Sequence, residues 1–267
     1  MWGYLILPAA GFFIGIVAAM TGVGGGIFIV PLLTGLFGFI PQHAVGTSLM
    51  TIIFTAAAAA YSYGRQKRIF YRTGLLLAIT TVPGAFTGAY LTTVISPSLL
   101  GLIFGVFLLG ISLQMILGGG GKEASPAGGG IPDPPVPDSQ IVRSSRKIAV
   151  GLGLSFFGGL ASGFLGIGGG VLGVPIMTLG MGIPIHFATA TSMFTMIWTS
   201  ISGVARHALA HHVHALPAVL LALGTVFGAQ VGAGYSRRVS GRALRRIFGL
   251  VLLAVSLQMM IRFVRFL

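Results

Sequence analysis

The sequence has no cysteine, and only three of its 267 residues carry a carboxylate side chain. The missing thiols exclude disulfides, thiol catalysis and cysteine-ligated metal sites. Charged residues form 7% of the chain and hydrophobic residues 55%, whereas a soluble domain carries about 25% charged residues. This balance excludes the soluble classes and predicts an integral membrane protein.

The three carboxylates lie together in a stretch that separates two apolar halves. Residues 118–140 are rich in Gly and Pro and contain Glu123, Asp133 and Asp138. Such a composition predicts a flexible linker. We therefore divide the chain into a first membrane repeat at 1–117, a Gly/Pro-rich cytoplasmic linker at 118–146 and a second membrane repeat at 147–267.

The apolar segments themselves contain no carboxylate. Carriers of cations usually need a buried Asp or Glu, and general acid–base catalysis loses the same groups. We therefore expect neither a cation carrier nor an enzyme, and we expect no cofactor. A small anion is the substrate that suits such segments.

The chain is strongly basic, with 16 Lys and Arg residues and a net charge of +13. Nucleic acid is not the expected partner, because the basic residues cluster at the ends of apolar runs, which is the positive-inside pattern of proteins in a lipid bilayer. Basic stretches occur at 65–72, 143–147 and 237–246. If all three stretches are in the cytoplasm, both termini lie outside and the linker lies inside. Only Arg262 and Arg265, near the C-terminus, are basic residues that this topology places outside.

Apolar runs occur in two sets of five. The first set covers roughly 3–20, 27–39, 44–63, 73–95 and 98–117, and the second covers roughly 147–164, 171–183, 187–206, 215–236 and 242–266. A full crossing needs about 20 residues, so the second run of each set is short. Five segments are an odd number, so the second repeat enters the membrane with the opposite orientation to the first. Only this inversion places all the basic loops on the cytoplasmic side. We expect an all-α integral membrane protein with two inverted repeats, each with a broken or short second segment.

One glycine motif precedes the short run in both repeats. Gly22-Val-Gly-Gly-Gly26 leads to Pro31, and Gly166-Ile-Gly-Gly-Gly170 leads to Pro175, 144 residues later. A helix that restarts after such a break points free N–H groups into it, where they can bind an anion. The alternative is that small residues allow close helix packing, which we favour for Gly84/Gly88 and Gly228/Gly232. The predicted substrate contacts are Gly24, Gly25, Gly26, Gly168, Gly169 and Gly170.

Hydroxyl side chains recur near the start of the third segment of each repeat. Thr47 and Ser48 in the first copy match Thr191 and Ser192 in the second. Hydroxyls at this position can donate to an oxyanion, and the alternative is helix capping or hydrogen bonding to the helix backbone. We include all four in the predicted substrate site.

Two further pairs of polar residues repeat. His43 and His186 lie in matching loops and could donate to an anion or carry a proton, or else lie at the membrane interface. Gln114 and Gln258 lie deep in matching helices, where an amide needs a partner, either the substrate or another helix. All four are candidate substrate contacts.

Four more histidines form a cluster without a counterpart in the first repeat. His207, His211, His212 and His214 lie in or beside a predicted outer loop, and His207 and His211 have the i, i+4 spacing of a helical pair. Such a cluster could bind a transition metal, but it lacks a carboxylate or thiol. We therefore predict no metal site and keep a metal-binding membrane protein as an alternative.

The duplicated motifs resemble those of a known family. The paired Gly-x-Gly-Gly-Gly-x-x-x-x-Pro runs, each followed by Ala-x-x-Thr-Ser at Ala44 to Ser48 and Ala188 to Ser192, resemble the sulfite exporter TauE/SafE family. The resemblance covers both repeats. It implies a bacterial-type inner membrane permease for small sulfur-containing anions, such as sulfite or the organosulfonate sulfoacetate. The residues alone indicate an anion carrier with inverted repeats, leave a channel for anions or small solutes open, and allow a homodimer.

Overall fold

A computed structural model describes residues 2–117, 138–143, 145–235, 250, 253–254 and 256–261. Within these ranges every regular element is helical. The predicted linker lies outside the described residues except for its last part. The all-α prediction is therefore confirmed.

The α-helices differ widely in length. A short 3-10 turn (Trp2–Ile6) precedes the first helix, and a π-helical turn (Ile176–Gly180) follows the eighth. The helices are α1 (Leu7–Thr21), α2 (Gly26–Gly35), α3 (Pro41–Arg65), α4 (Tyr71–Val94), α5 (Pro97–Leu117), α6 (Asp138–Arg143), α7 (Ser145–Leu165), α8 (Gly170–Pro175), α9 (Ile185–Leu209) and α10 (Ala215–Tyr235).

Several of these helices are long and apolar enough to cross a bilayer. In the described part of the chain they are Tyr4–Thr21, Pro41–Arg65, Tyr71–Val94, Ile148–Leu165 and Ala215–Tyr235. The helix α9 has 25 residues, the same length as its counterpart α3. The length and composition of these helices agree with the membrane class that the sequence predicts.

The chain divides into two compact units. One comprises Met1–Val94 and Val136–Ser236, and the other comprises Ile95–Pro135 and Arg237–Leu267. The first unit contains every helix from α1 to α10 except α5. In the second unit, Gly105 of α5 packs against the helical residues 256–261, where an added Cβ would lie 2.9 Å from Met260 Cγ.

Each glycine run is the tip of a helical hairpin. Tyr4, before α1, stacks on Phe37, after α2, with ring centroids 5.5 Å apart and nearly parallel planes. In the second copy, a Cβ added to Gly151, near the start of α7, would lie 2.9 Å from Met181 Sδ, after the π-helical turn. Because each hairpin begins and ends at the same level, the short run folds back instead of crossing.

Glycines bring the long helices into contact in pairs. A Cβ added to Gly84 or Gly88 of α4 would overlap the carbonyl oxygens of Phe156 and Leu160 in α7. Their counterparts Gly228 and Gly232 of α10 meet Phe12 and Ile16 of α1 in the same way. The packing role predicted for these glycines is confirmed. The residues that they contact also correspond between the repeats, since Phe156 and Leu160 each lie 144 residues after Phe12 and Ile16.

The last part of the predicted linker is attached to the membrane helices. The carboxylate of Asp138 accepts hydrogen bonds from the backbone N–H groups of Arg72 (3.0 Å) and Thr73 (3.2 Å) and from the Thr73 hydroxyl. Asp138 thus satisfies free N–H groups at the start of α4, as an N-cap does. This residue is therefore not part of a freely moving tether.

Candidate functional site

The two glycine runs adopt the same backbone turn. The angle φ is +75°, +85° and +88° at Gly22, Gly24 and Gly25, and +70°, +79° and +89° at Gly166, Gly168 and Gly169. Residues with a side chain rarely adopt this left-handed region, whereas glycine does so at no steric cost. Each helix therefore ends, turns and restarts within five residues.

The restarted helices begin without a side-chain cap. The Gly25 carbonyl accepts from the N–H groups of Phe28 (2.9 Å) and Ile29 (3.0 Å), and the Gly169 carbonyl accepts from Gly173 (2.8 Å). No described side chain caps α2 or α8. The start of α2 lies against Gly166 and Ile167 of the other hairpin, so the positive end of its helix dipole is at the junction between the hairpins.

The two hairpin tips contact each other directly. A Cβ added to Gly26 would overlap the carbonyl oxygen of Gly166, and a Cβ added to Gly170 would overlap that of Gly22. Gly26 and Gly166 are equivalent to Gly170 and Gly22 of the other repeat. Exchanging the two repeats therefore converts one contact into the other, as two-fold symmetry does. We call the region of Gly22–Gly26 and Gly166–Gly170 the tip crossing.

The predicted serines join each tip to the opposite repeat. The Ser48 hydroxyl of α3 donates to the Gly166 carbonyl at 2.9 Å, and the Ser192 hydroxyl of α9 donates to the Gly22 carbonyl at 3.1 Å. Both serines are buried. Each serine proton is therefore bound to a tip carbonyl in this closed arrangement.

The predicted threonines make a second reciprocal pair of contacts. The Thr47 hydroxyl oxygen accepts from the His214 backbone N–H at 3.1 Å, and the Thr191 oxygen accepts from the Phe70 N–H at 3.0 Å. Both threonines are completely buried. The structure thus brings the Thr-Ser pairs and the glycine runs into one region, whereas their contact with an anion stays a prediction.

A small cavity adjoins the second tip. It offers about 20 Å³ of space for water, which is room for roughly one molecule. An anion with four or more heavy atoms does not fit, so the site is closed. The residues that line the cavity include Gly168, Gly169, Gly173, Ser192, Thr195 and Thr199.

The cavity depends on a difference between the two repeats that the motif comparison missed. Gly173 lines it, whereas the equivalent residue of the first copy is Ile29, whose side chain is completely buried. A side chain at this place would fill the space beside Ser192, since a Cβ on Gly173 would lie 3.4 Å from the Ser192 hydroxyl oxygen. The sequence already shows this difference, because Gly173 stands in the second copy of the motif where the first copy has Ile29.

The structure separates the two predicted histidines. His43 lies in the first turn of α3, where its Nδ1 is 2.6 Å from Nε2 of His214. His186 lies in the first turn of α9, where its backbone carbonyl accepts from the Arg68 guanidinium at 3.2 Å. Each is therefore at the start of a helix rather than in a loop, and they do not converge on one point.

Arg68 is a functional candidate that sequence reasoning missed. Its side chain is only 1% exposed, lies over the Tyr63 ring at 4.8 Å and donates to the Gln66 side chain at 3.1 Å. The sequence placed it among the cytoplasmic loop cations, and no local pattern distinguishes it from Arg65 or Arg72.

The glutamine pair belongs to the second compact unit. Gln258 is exposed there, and the Gln114 side chain lies outside the described residues. The predicted contact of both with substrate stays a prediction.

The outer histidines do not form a metal site in the described part of the chain, where no three potential ligands are suitably placed. The rings of His207 and His212 lie 5.8 Å apart, and the His207 ring faces the Gly163 carbonyl at 3.3 Å. Burial and the nearby Arg206 and His211 charges lower the pKa of His212. The alternative of a metal-binding protein therefore has no geometric support.

Known proteins share this sequence pattern. The family model described as sulfite exporter TauE/SafE matches residues 7–259. The probable membrane transporter protein YunE of Bacillus subtilis is 34% identical over 264 residues, which cover 96% of this chain and 97% of that protein. The probable membrane transporter protein MJ0441 of Methanocaldococcus jannaschii is 25% identical, with 96% of each chain covered.

A third relative supports the same assignment. The probable membrane transporter protein YdhB of Bacillus subtilis is 32% identical over 235 residues, which cover 84% of this chain and 87% of that protein. No solved structure matches. The chain therefore belongs to the sulfite exporter TauE/SafE family and is a membrane transporter.

Proposed function

We propose that this transporter carries small sulfur-containing oxyanions, sulfite or an organosulfonate such as sulfoacetate, across the inner membrane by alternating access. The observation that carries the proposal is the tip crossing with its two serines. Ser48 and Ser192 each donate a neutral hydrogen bond to a tip carbonyl. When the tips separate, both hydroxyls and the N–H groups at the start of α2 become donors for an oxyanion.

The charges around the site favour an anion over a cation. Asp138 is the one carboxylate among the described residues, and its hydrogen bonds go to Arg72 and Thr73 at the start of α4 and to no residue of the tip crossing. Hydroxyl and backbone donors hold an anion without a fixed cation, so that release costs little. The family's name, sulfite exporter, agrees with this chemistry.

The paired contacts support inverted repeats. Ser48–Gly166 and Ser192–Gly22 exchange partners between the copies, as do Thr47–His214 and Thr191–Phe70. If the basic loops face the cytoplasm, the hairpin α1–α2 enters from outside and the hairpin α7–α8 from inside. Rocking one hairpin away from the crossing would then open the site to one side only.

A channel for small anions is the second candidate function. The same repeats could surround a continuous pore, but the backbone contacts of Gly26 and Gly170 close the path in this structure. Counterflow separates the two mechanisms, because a carrier exchanges substrate through one site and a channel does not.

The test is flux into proteoliposomes that hold the purified protein. The panel is sulfite, sulfoacetate, taurine, sulfate and chloride, with a monovalent cation as the control. We expect saturable sulfite or sulfoacetate uptake, mutual competition and counterflow. Movement of the cation, unsaturable flux, or no movement of any anion would contradict the proposal.

A further inference from the structure

Two ring pairs occupy equivalent places at opposite ends of the site. His43 and Phe187 lie four residues before Thr47 and Thr191, on α3 and α9. Each threonine accepts from the backbone N–H of the ring partner, which is His214 in one case and Phe70 in the other. The fold thus builds the same contact twice, once from histidines and once from phenylalanines.

Both pairs are closed in this structure. The Phe70 and Phe187 rings stack with centroids 5.1 Å apart, and the His43 and His214 rings lie 4.8 Å apart. The phenylalanines are buried, whereas His43 is half-buried and His214 is exposed. Each pair is one helical turn from its Thr-Ser motif, and inverted repeats would put the two pairs on opposite sides of the tip crossing. Protons in water can reach only the histidine pair.

The histidine contact can exist in only some protonation states. The distance of 2.6 Å between His43 Nδ1 and His214 Nε2 requires that one nitrogen donates and the other accepts. Two neutral rings can do this, and so can two rings that share one extra proton. When both rings are cationic, both nitrogens are donors, the hydrogen bond is lost and the rings repel each other.

The surrounding groups add no negative charge. The titratable or charged side chains that face the pair are His212, whose ring is 5.0 Å from that of His43, and then His207, His211 and Arg206 around His212. The remaining ring contact is Phe39, at 4.9 Å from His214. Nothing among these described groups would hold two imidazolium rings together.

We propose that the pair His43–His214 is a proton-binding site that opens the outer end of the transporter. Protons from outside separate the two rings, and the resulting imidazolium groups attract the incoming anion. The inner end, closed by Phe70 and Phe187, has no such dependence. Opening of the outer end therefore responds to external pH, whereas opening of the inner end does not respond to internal pH. This inference rests on the proposed function and on the orientation given by the basic loops.

The absence of cysteine makes an accessibility test direct. A Ser48→Cys reporter lies behind the histidine pair, and a Leu209→Cys control lies on the surface, where Leu209 is 74% exposed. The measured quantity is the ratio of two labelling rates with a membrane-impermeant thiol reagent, that of the reporter divided by that of the control. Dividing by the control rate corrects for the change of thiol reactivity with pH. We expect this ratio to rise about tenfold when the external pH is lowered from about 8 to a value well below the ordinary histidine pKa of about 6.5, because both rings must bind a proton before the contact is lost.

The matched variant converts the outer pair into a copy of the inner pair. In H43F/H214F the labelling ratio is expected to be flat with pH, and monodisperse elution from detergent would show that the protein folds. The mirror variant F70H/F187H should make the inner end respond to internal pH. A ratio that does not rise in the parent protein, or that rises equally in H43F/H214F, would overturn the inference.

Anion flux measured with and without H43F/H214F in protein that keeps Ser48 separates this inference from the proposed function. If sulfite moves but its external pH profile is unchanged in H43F/H214F, the proton site is wrong and the proposed function stands. If labelling follows the prediction but no anion on the panel moves at any pH, the proton site stands and the proposed substrate class is wrong.

Discussion

Gly26 and Gly170 show, at the scale of single residues, why the duplicated motif requires glycine. Each passes against a carbonyl oxygen of the opposite tip, so there is no room for a methyl group. The left-handed φ at the four neighbouring glycines Gly24, Gly25, Gly168 and Gly169 adds a second requirement. The sequence was sufficient to find these positions, because the same run occurs twice.

Gly26→Ala or Gly170→Ala should therefore abolish flux. Overpacking of this kind costs about 1–3 kcal/mol, so a lower thermal unfolding midpoint is also expected. Gly153→Ala in α7 is the matched control, because nothing lies within 4 Å of its added Cβ. Flux in both tip variants equal to that of Gly153→Ala would show that the close tip contact is not needed.

Some residue roles could not be predicted from sequence. Arg68 and Arg72 look alike in the sequence, but only the fold places the Arg68 guanidinium against the Tyr63 ring and the His186 carbonyl. Likewise, His43 and His214 are 171 residues apart. Their contact depends on how α3 packs against the turn before α10, which no local pattern contains.

At the scale of elements, one of the differences between the hairpin α7–α8 and the hairpin α1–α2 lies beside the tip crossing. Gly173 leaves open the cavity beside Ser192, and Ile29 fills the equivalent space. The cavity lies beside the second tip, and its lining combines threonine and serine side chains with those of Leu77, Met177 and Met196. We expect the closed site to widen from this cavity when it admits an anion.

Gly173→Ile should therefore block transport and leave the fold intact, because the first repeat already accommodates isoleucine at this position. The smaller change Gly173→Ala should retain most of the flux, since its Cβ makes only ordinary contacts at 3.4 Å and beyond. Initial rates of sulfite uptake and unfolding midpoints of both variants provide the check. Normal uptake by Gly173→Ile would remove the cavity from the transport path.

At the scale of the whole molecule, the sequence predicted the all-α membrane class, the duplication and the short second runs. It left open whether the short runs, 27–39 and 171–183, cross the membrane fully or fold back as hairpins. The stacking of Tyr4 on Phe37 resolves this point for the first copy. That contact joins the two ends of a hairpin and has no signature in hydrophobic periodicity.

Inverted hairpins predict opposite accessibility for two exposed positions. Leu36, after α2, is 76% exposed, and Leu179, in the π-helical turn after α8, is 87% exposed. In intact cells a membrane-impermeant thiol reagent should label Leu36→Cys from outside, and Leu179→Cys should react only after the cells are permeabilised. Labelling of both from the same side would contradict the inverted arrangement.

The measurement that tests the tip crossing most directly is the KM for sulfite or sulfoacetate counterflow in S48A/S192A. If both serine hydroxyls leave their tip carbonyls to bind the anion, their loss should raise KM at least about tenfold for each hydrogen bond of roughly 1.5 kcal/mol. The control is Ser112→Ala, because the Ser112 hydroxyl bonds to Leu109 within its own helix. A KM in S48A/S192A equal to that of the control would contradict an anion site at the crossed tips.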